Sequence, residues 1–278
     1  MGFERGIGGR GSIGGGRGLG KRKGGLGHKL SMVKSASKRK LKKLTALFSN
    51  TKSLNFDGTN DYGDISYVSG MDFMRTGDFT WAGWIKLGEL GQFQLLMNNW
   101  SSFNNGWSLR FFSNNKLYWL SNGSAIGMST AFNDSDWHHV VFAMNRSGSE
   151  AKWYVNGSLE TTATSIPSAP SSTGNFRFGG AGHNPGTWRF EGKLDEIAVW
   201  NSVLDADNVT ALYGSGAPPF SLTADSGDYN NSSNLYMYYS MGDNAGDDHT
   251  AIVDQGSGGN NVTLYNMDSS NISTDVPS

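Results

Sequence analysis

The sequence predicts an all-β fold, an antiparallel β-sandwich, that follows an extended basic N-terminal arm. Apolar side chains recur at every second position in short runs between residues 53 and 220, as in half-buried strands. Asn, Gly, Ser and Asp separate these runs, and they are typical of turns. The charge is divided at the same boundary. Residues 1–52 carry fourteen Lys/Arg and one acid, whereas the remainder carries nine basic and 23 acidic residues.

The arm, residues 1–52, has two parts. Residues 1–27 contain thirteen glycines among Arg and Lys, and ordering glycine costs entropy without burying a side chain, so we expect a tether. The G-x-G-x-x-G pattern at residues 6–11 lacks the strand and helix of a nucleotide site and is interpreted as chance. Residues 34–48 have leucines at helical spacing among basic residues. This pattern predicts a short basic helix that forms only against a partner or the body.

A net charge of +13 on the arm predicts contact with a polyanion: an acidic protein surface, nucleic acid or an anionic membrane. We favour docking in an assembly. Nucleic-acid contact and a passive solvated tail are the alternatives, and base stacking is poorly supported because only Phe3 is aromatic before Phe48. The predicted docking residues are Arg5, Arg10, Arg17, Lys21, Arg22, Lys23, Lys38, Arg39, Lys40, Lys42 and Lys43.

The body, residues 53–220, supplies the predicted strands in order. They are residues 78–87, 93–97, 107–112, 116–120, 137–144, 152–155, 176–178 and 188–200. Asn156-Gly157 predicts a hairpin turn of type I′, since both residues tolerate positive φ. One helix is predicted over residues 205–213, with Asp205 as N-cap and Gly214 as its stop.

The C-terminal residues 221–278 contain eight Asp and no Lys or Arg. We expect an acidic extension packed on the sandwich, with strands near residues 235–243 and 262–267 and a last strand ending near Val276. A separate domain of thin core is the alternative.

Several classes of protein are excluded or disfavoured by composition. The absence of Cys excludes disulfides, thiol catalysis and Cys-ligated zinc. No apolar run approaches the roughly 20 residues of a membrane span, and the N-terminus has no apolar secretory segment. We therefore expect neither a membrane span nor a secretory signal.

Four segments, in order, resemble the laminin-G-like, concanavalin A-like jelly-roll family. They are SLNFDGTNDY (53–62), FTWAGWI (79–85), WHHVV with WYVNG (137–141, 153–157) and GKLDEIAVW (192–200). The resemblance implies a concanavalin A-like jelly roll over residues 53–220, a fold that serves adhesins, lectins, enzymes and structural modules alike. Residues 235–267 resemble a pattern found beside such domains in virus and environmental sequences, although Tyr238-Tyr239-Ser240 departs from its usual Y-W-R.

Calcium is the cofactor that the resemblance implies. Such domains often carry one Ca²⁺, and Asp57, Asp61 and Asp195 are the acids expected to converge on it. The alternative is that Asp57-Gly58 is simply a turn and Asp195 a hydrogen-bond acceptor. The loop with Asp243, Asp247 and Asp248 is a second oxygen-rich candidate.

Exposed aromatic rings would bind glycans by stacking on sugar faces. The candidate rim comprises Trp100, Trp107, Trp119 and Trp188 with Asn98, Asn99, Asn104 and Asn105. The alternative is that these rings pack in the core, because large aromatic side chains are mostly buried. Trp100 and Trp188 border loops, so they are expected to be the exposed members and are predicted as the carbohydrate-binding pair.

Catalysis is not expected. None of the six Glu lies in a glycosidase-like pattern, and the neighbours Asp195 and Glu196 should point to opposite faces of a strand. His138 and His139 are interpreted as structural.

The charge division on a jelly roll predicts a non-enzymatic virion protein, a capsid decoration or tail accessory protein of a bacteriophage, displayed on the surface of an oligomeric assembly. Its partners would be other capsid or tail proteins. The alternative is a carbohydrate-binding adhesin or lectin for host glycans.

Overall fold

The computed structural model describes residues 48–101, 105–181 and 188–278. In these ranges it contains two α-helices, α1 (Phe73–Thr76) and α2 (Ala206–Tyr213), and short 3-10 turns at Ser69–Met71, Ser232–Asn234 and Ser269–Asn271. Neither α-helix is long and apolar enough to cross a bilayer. The sixteen strands in these ranges are β1 (Ser53–Asp57), β2 (Tyr62–Ile65), β3 (Phe79–Leu87), β4 (Gln94–Asn98), β5 (Trp107–Phe111), β6 (Leu117–Ser121), β7 (Ser124–Gly127), β8 (His138–Asn145), β9 (Glu150–Val155), β10 (Ser158–Ala163), β11 (Phe176–Phe178), β12 (Glu191–Trp200), β13 (Leu235–Tyr239), β14 (Ala251–Ile252), β15 (Val262–Tyr265) and β16 (Ile272–Ser273).

The strands form two antiparallel sheets. The first sheet has the order β10-β9-β8-β3-β12-β1-β16, and β13 pairs with β12 as well. The second sheet has the order β14-β15-β2-β11-β4-β5-β6-β7. This arrangement confirms the predicted all-β, antiparallel jelly-roll sandwich.

The core between the sheets is a stack of large aromatic rings. Trp107 lies 4.7 Å from Trp119, Trp119 lies 5.2 Å from Phe142, and Phe142 lies 4.5 Å from Trp153 (ring centroids). Burying such rings removes a large apolar area from water, which is the main force that holds the two sheets together. The side chains of β3 that alternation assigned to the core do lie in it: Phe79, Trp81, Ile85 and Leu87.

The outer face of the first sheet is also covered. Helix α2 and the chain that follows it pack Val209, Leu212 and Tyr229 over Trp200 and Ala198 in a second apolar cluster. The sheet is therefore buried on both faces, which explains why nearly every residue of β3 and β12 is buried.

The predicted boundaries of α2 are confirmed. The Asp205 side chain accepts a hydrogen bond from Asn208 N at 2.9 Å, as an N-cap does. Gly214 has φ 58° and ends the helix in the left-handed conformation that glycine adopts without penalty. The hairpin between β9 and β10 turns at Asn156 (φ 49°) and Gly157 (φ 77°), as a type I′ turn requires.

The C-terminal residues contribute strands to both sheets. β13 lies end to end with β1 along one edge of β12, opposite residues 197–200, whereas β1 pairs with residues 191–194. β15 pairs with β2, β14 with β15, and β16 with β1. The last strand ends at Ser273, three residues before the predicted position.

Candidate functional site

The outward side of the second sheet carries a group of aromatic rings, which we call the aromatic patch. On β5, Trp107, Leu109 and Phe111 point into the core, so the alternation of a strand directs Arg110 outward. Loops that flank β4, β5 and β6 bring aromatic side chains around this arginine. The patch consists of Phe93, Trp100, Phe112, Tyr118 and Trp188.

Strand pairing positions the rings of the patch. Gln94 lies opposite Phe111, so Phe93 and Phe112, one residue outside each strand, meet with centroids 4.3 Å apart at 64°. Phe112 in turn contacts Tyr118 edge to face at 4.5 Å. These are favourable geometries for aromatic pairs, and they hold the rings in one continuous surface.

Trp100 and Trp188 close one side of the patch. Their rings pack edge to face, 5.7 Å apart at 80°, and Trp188 also lies 5.9 Å from Phe93. Trp188 has a φ of 52°, and its carbonyl oxygen accepts a hydrogen bond of 2.8 Å from Leu95 N, which ties this turn to β4. Trp100 is 3% exposed, whereas Trp188 is only half-buried, so Trp188 is the more accessible ring of the pair.

Arg110 lies at the centre of the patch. Its guanidinium carbon lies over the rings of Phe93, Trp100 and Phe112 at 5.2, 5.4 and 5.1 Å from their centroids. Such cation–π contacts stabilise a charge that has lost much of its water. Burial lowers the pKa of Arg110 to about 10, so the group is still charged at neutral pH.

A polar groove of about 200 Å³ adjoins the patch. It is lined by Trp100, Ser101, Gly174, Asn175 and Arg177. Ring faces beside hydrogen-bonding groups form the mixed apolar and polar surface on which small polar ligands bind. The arrangement suits a sugar, which has apolar C–H faces and a rim of hydroxyl groups.

The match to known families covers the sandwich. The family model described as the concanavalin A-like lectin/glucanases superfamily matches residues 57–210, more than half of the chain. The chain belongs to the concanavalin A-like lectin/glucanase superfamily. No curated protein matches it.

Solved structures share the concanavalin A-like fold at low sequence identity. A candidate carbohydrate binding protein from Bacteroides ovatus aligns with a TM-score of 0.62 and 19% identity, over 83% of this chain and 62% of that one. This chain therefore spans less than two thirds of the length of that protein. The CBM40 of the Ruminococcus gnavus IT-sialidase, bound to α2,3 sialyllactose, aligns with a TM-score of 0.50 and 16% identity, over 58% of this chain and 96% of the module.

Of the four tryptophans of the predicted rim, Trp188 alone is partly exposed, and the expectation that Trp100 is exposed was wrong, because it is packed beneath Trp188 and Arg110. The structure brings Trp100 and Trp188 together in the patch, and their part in glycan binding stays a prediction. Including Trp107 and Trp119 in the rim was wrong, because both are fully buried between the sheets. Phe93, Arg110, Phe112 and Tyr118 were missed, since their proximity depends on the pairing of β4, β5 and β6.

The asparagines of the predicted rim have local partners. Asn98 and Asn99 are buried and donate to the carbonyl oxygens of Gly180 and Ser172. Asn105 donates to Ser101 Oγ at 3.2 Å. Asn104 lies outside the described residues.

The three acids predicted to share calcium do not converge. Asp61 Oδ2 accepts a hydrogen bond of 3.0 Å from Asp57 N, so those two are neighbours. Leu54 is opposite Leu194, which places Asp195 beside Ser53, four residues along β1 from Asp57. In residues 48–101, 105–181 and 188–278, no three His, Asp or Glu side chains are grouped to hold a metal ion. Calcium binding stays a prediction, and these three residues do not fit it as one set.

The three carboxylates of the second oxygen-rich candidate accept hydrogen bonds from different groups. Asp243 accepts from Thr51 and Lys52 N, Asp247 caps backbone N–H groups including that of Gly242, and Asp248 accepts from the Thr250 hydroxyl. Asp243 thus ties residues 51 and 52 to the C-terminal loop, whereas Asp247 and Asp248 stabilise the loop itself.

Asp195 and Glu196 lie on the same side of the first sheet, so the expectation of opposite faces was wrong. The pairing of β12 with β3 shifts by one residue between Asp195 and Ala198, and Glu196 has φ 50°, as in a β-bulge. Tyr238 OH donates to Glu196 Oε2 at 2.6 Å. Asp195 Oδ2 and Glu196 Oε1 have no hydrogen-bond partner among the described residues. Burial raises the pKa of Glu196 to about 8, and burial and the adjacent Glu196 raise that of Asp195 well above its ordinary value.

The two histidines occupy structural positions. His139 is buried between Trp84 and Tyr213, and burial lowers its pKa to about 3, so it stays neutral. His138 Nε2 lies 2.8 Å from Asp134 Oδ1. The predicted docking residues, Arg5 to Lys43, and residues 34–47 of the predicted basic helix lie outside the described residues.

Proposed function

We propose that this protein binds carbohydrate on the aromatic patch. The observation that carries the proposal is the position of Trp188. This half-buried ring stands edge to face against Trp100, next to a groove that holds Asn175 and Arg177. A ring fixed by its neighbours loses little entropy when a sugar stacks on it, and the adjacent polar groups supply orientation.

The outer surfaces of the two sheets support this choice of site. Helix α2 and its continuation cover the first sheet, whereas the second sheet presents half-buried rings outward. The concanavalin A-like neighbours add support at the level of the fold: one is a carbohydrate-binding module bound to sialyllactose, and the other a candidate carbohydrate binding protein.

The proposal is binding without catalysis. A glycosidase needs two carboxyl groups that touch the substrate. The one adjacent carboxyl pair in β12, Asp195 and Glu196, is 0% and 5% exposed beneath the cover of the first sheet, on the side away from the patch.

The virion role stays a separate prediction. It depends on the basic arm, of which residues 1–47 lie outside the described residues. The expected capsid or tail partners, the surface location and the oligomeric assembly depend on the same arm and stay predictions.

A glycan array probed with the full chain tests the proposal, followed by calorimetric titration of the strongest ligand. Trp188→Ala should weaken binding at least tenfold, about 1.4 kcal/mol, as expected for a central aromatic contact. Leu159→Ala is the control, because Leu159 is 54% exposed on β10 of the first sheet. Absence of any glycan ligand, or equal binding by the Trp188 variant and the wild type, would refute the proposal.

A further inference from the structure

Two arginines on the outer face of the second sheet differ in their partners. Arg177 Nε lies 2.7 Å from Asp64 Oδ1 in an ion pair. Arg110 is 7% exposed, and its Nε has no hydrogen-bond partner among the described residues. No carboxylate of the described residues pairs with the Arg110 guanidinium, which is surrounded instead by three aromatic rings.

Burial of Arg110 in this manner is costly for folding. A guanidinium that leaves water without a counter-charge loses several kcal/mol of solvation. Cation–π contacts return roughly 0.5–2 kcal/mol each, but a ring face accepts no directed hydrogen bond from the N–H groups. An apolar side chain of similar length would fill the same space without this cost. A guanidinium at this position is therefore best accounted for by an acceptor that comes from outside the chain.

The shape of the guanidinium indicates which acceptor. Its planar fork pairs edge to edge with a carboxylate through two parallel hydrogen bonds. A flat carboxylate also needs less room between Phe93, Trp100 and Phe112 than a tetrahedral sulfate or phosphate does.

We infer that the aromatic patch selects sugars that bear a carboxylate, with the carboxylate on Arg110 and the sugar ring against Trp188. Uronic acids and sialic acids share this chemistry. The inference rests on the proposed function, because it names the ligand class of the same site. After residue 52 the chain has 23 acidic and nine basic residues, so attraction of a carboxylate must come from Arg110 itself and not from the net charge of the body.

The test compares ligands that differ only in charge, by calorimetry with the full chain in 150 mM salt. Trigalacturonic acid is paired with its methyl ester, and 3′-sialyllactose with lactose. We expect at least one acid to bind tenfold or more tightly than its neutral partner, and the acid that does so distinguishes the uronic from the sialic source.

Arg110→Met should abolish that preference, with the affinity for the acid falling at least tenfold more than the affinity for its neutral partner. Arg146→Met is the matched control. Arg146 is a half-buried arginine whose Nη1 donates to the Pro167 carbonyl, and both variants keep the basic arm. Arg110→Lys, which keeps the charge but not the fork, should give a reduced preference, and thermal melting checks that each variant is folded.

Three outcomes are distinguishable. Preference for the acid that disappears only in the Arg110 variant supports the inference. Equal binding of acid and neutral sugar by the wild type, or a preference that survives Arg110→Met, overturns the inference and leaves carbohydrate binding intact. Failure to bind either member of both pairs, together with a blank glycan array, overturns both.

Discussion

Glu196→Gln should stabilise this protein at alkaline pH and change the pH dependence of its unfolding. Glu196 is 5% exposed, accepts a hydrogen bond from Tyr238 and lies beside the buried Asp195. Asp243 also acts on it and helps to raise its pKa. Glutamine keeps an oxygen that can accept from Tyr238 but has no proton to lose.

The magnitude follows from linkage between proton binding and folding. The pKa of Glu196 is raised from 4.5 to about 8 on folding, chiefly by burial. Between these values the folded chain holds a proton that the unfolded chain has released, so stability falls by about 1.4 kcal/mol for each pH unit. The contribution of protonated Glu196 to the free energy of unfolding is complete below pH 4.5 and is lost as the pH rises to 8. Over the whole interval the loss amounts to about 5 kcal/mol, a large part of the usual stability of a domain.

Urea unfolding followed by tryptophan fluorescence at pH 5, 6, 7 and 8 measures the effect. The difference in unfolding free energy between Glu196→Gln and the wild type should grow steadily with pH. Glu160→Gln is the control, because hydrogen bonds from Ser129 and Thr130 lower the pKa of Glu160, so its contribution changes only below pH 4.5. Parallel pH profiles for the Glu196 variant and the wild type would refute the reasoning.

Two further predictions concern stability. Asp205→Ala removes the N-cap of α2 and should cost about 1 kcal/mol in guanidinium unfolding, with an unchanged denaturant dependence; no loss would mean that the cap is not needed. Burial raises the pKa of Asp275, but hydrogen bonds from Lys86, Lys193 and Trp137 outweigh burial and lower it to about 2. Its contribution is therefore present above pH 3.8 and lost as the pH falls to 2, so Asp275→Asn should flatten the fall in melting temperature over that interval.

The sandwich could be predicted because its central strands alternate or carry strong turn signals. The Asn156-Gly157 hairpin and the caps of α2 depend only on local backbone conformations, and both are found where expected. β2, β7 and β10 were not predicted. β10 reads SLETTA and is exposed or half-buried along its length, so it lacks the apolar period that marks a strand. Its strand conformation comes from pairing with β9.

The site could be predicted only in part, because its geometry is created by pairing over long distances. Loop position identified Trp100 and Trp188, which do meet. Alternation along β5 puts Trp107 and Arg110 on opposite faces, but the rings that surround Arg110 are known only from the pairing of β4, β5 and β6. The β-bulge at Glu196 could not be predicted either. It needs a positive φ at Glu196, and glutamate rarely adopts one, so nothing in the sequence marks the position.

Glu196 and Arg110 are buried ionisable groups on opposite sides of the sandwich, and they differ in how their charge can be neutralised. This difference distinguishes a structural role for Glu196 from the binding role proposed for Arg110. Glu196 lies in a closed layer, and with a pKa of about 8 it takes up a proton at neutral pH and removes its own charge. Arg110 has no such option, because its pKa of about 10 keeps it charged. It also lies on the outer side of the second sheet, where Trp100 packs against both Arg110 and Trp188. A buried charge that cannot be lost by titration and that borders solvent can be neutralised by an anion from outside, which is the reason for proposing Arg110, rather than the carboxyl pair of β12, as the charged group of the binding face.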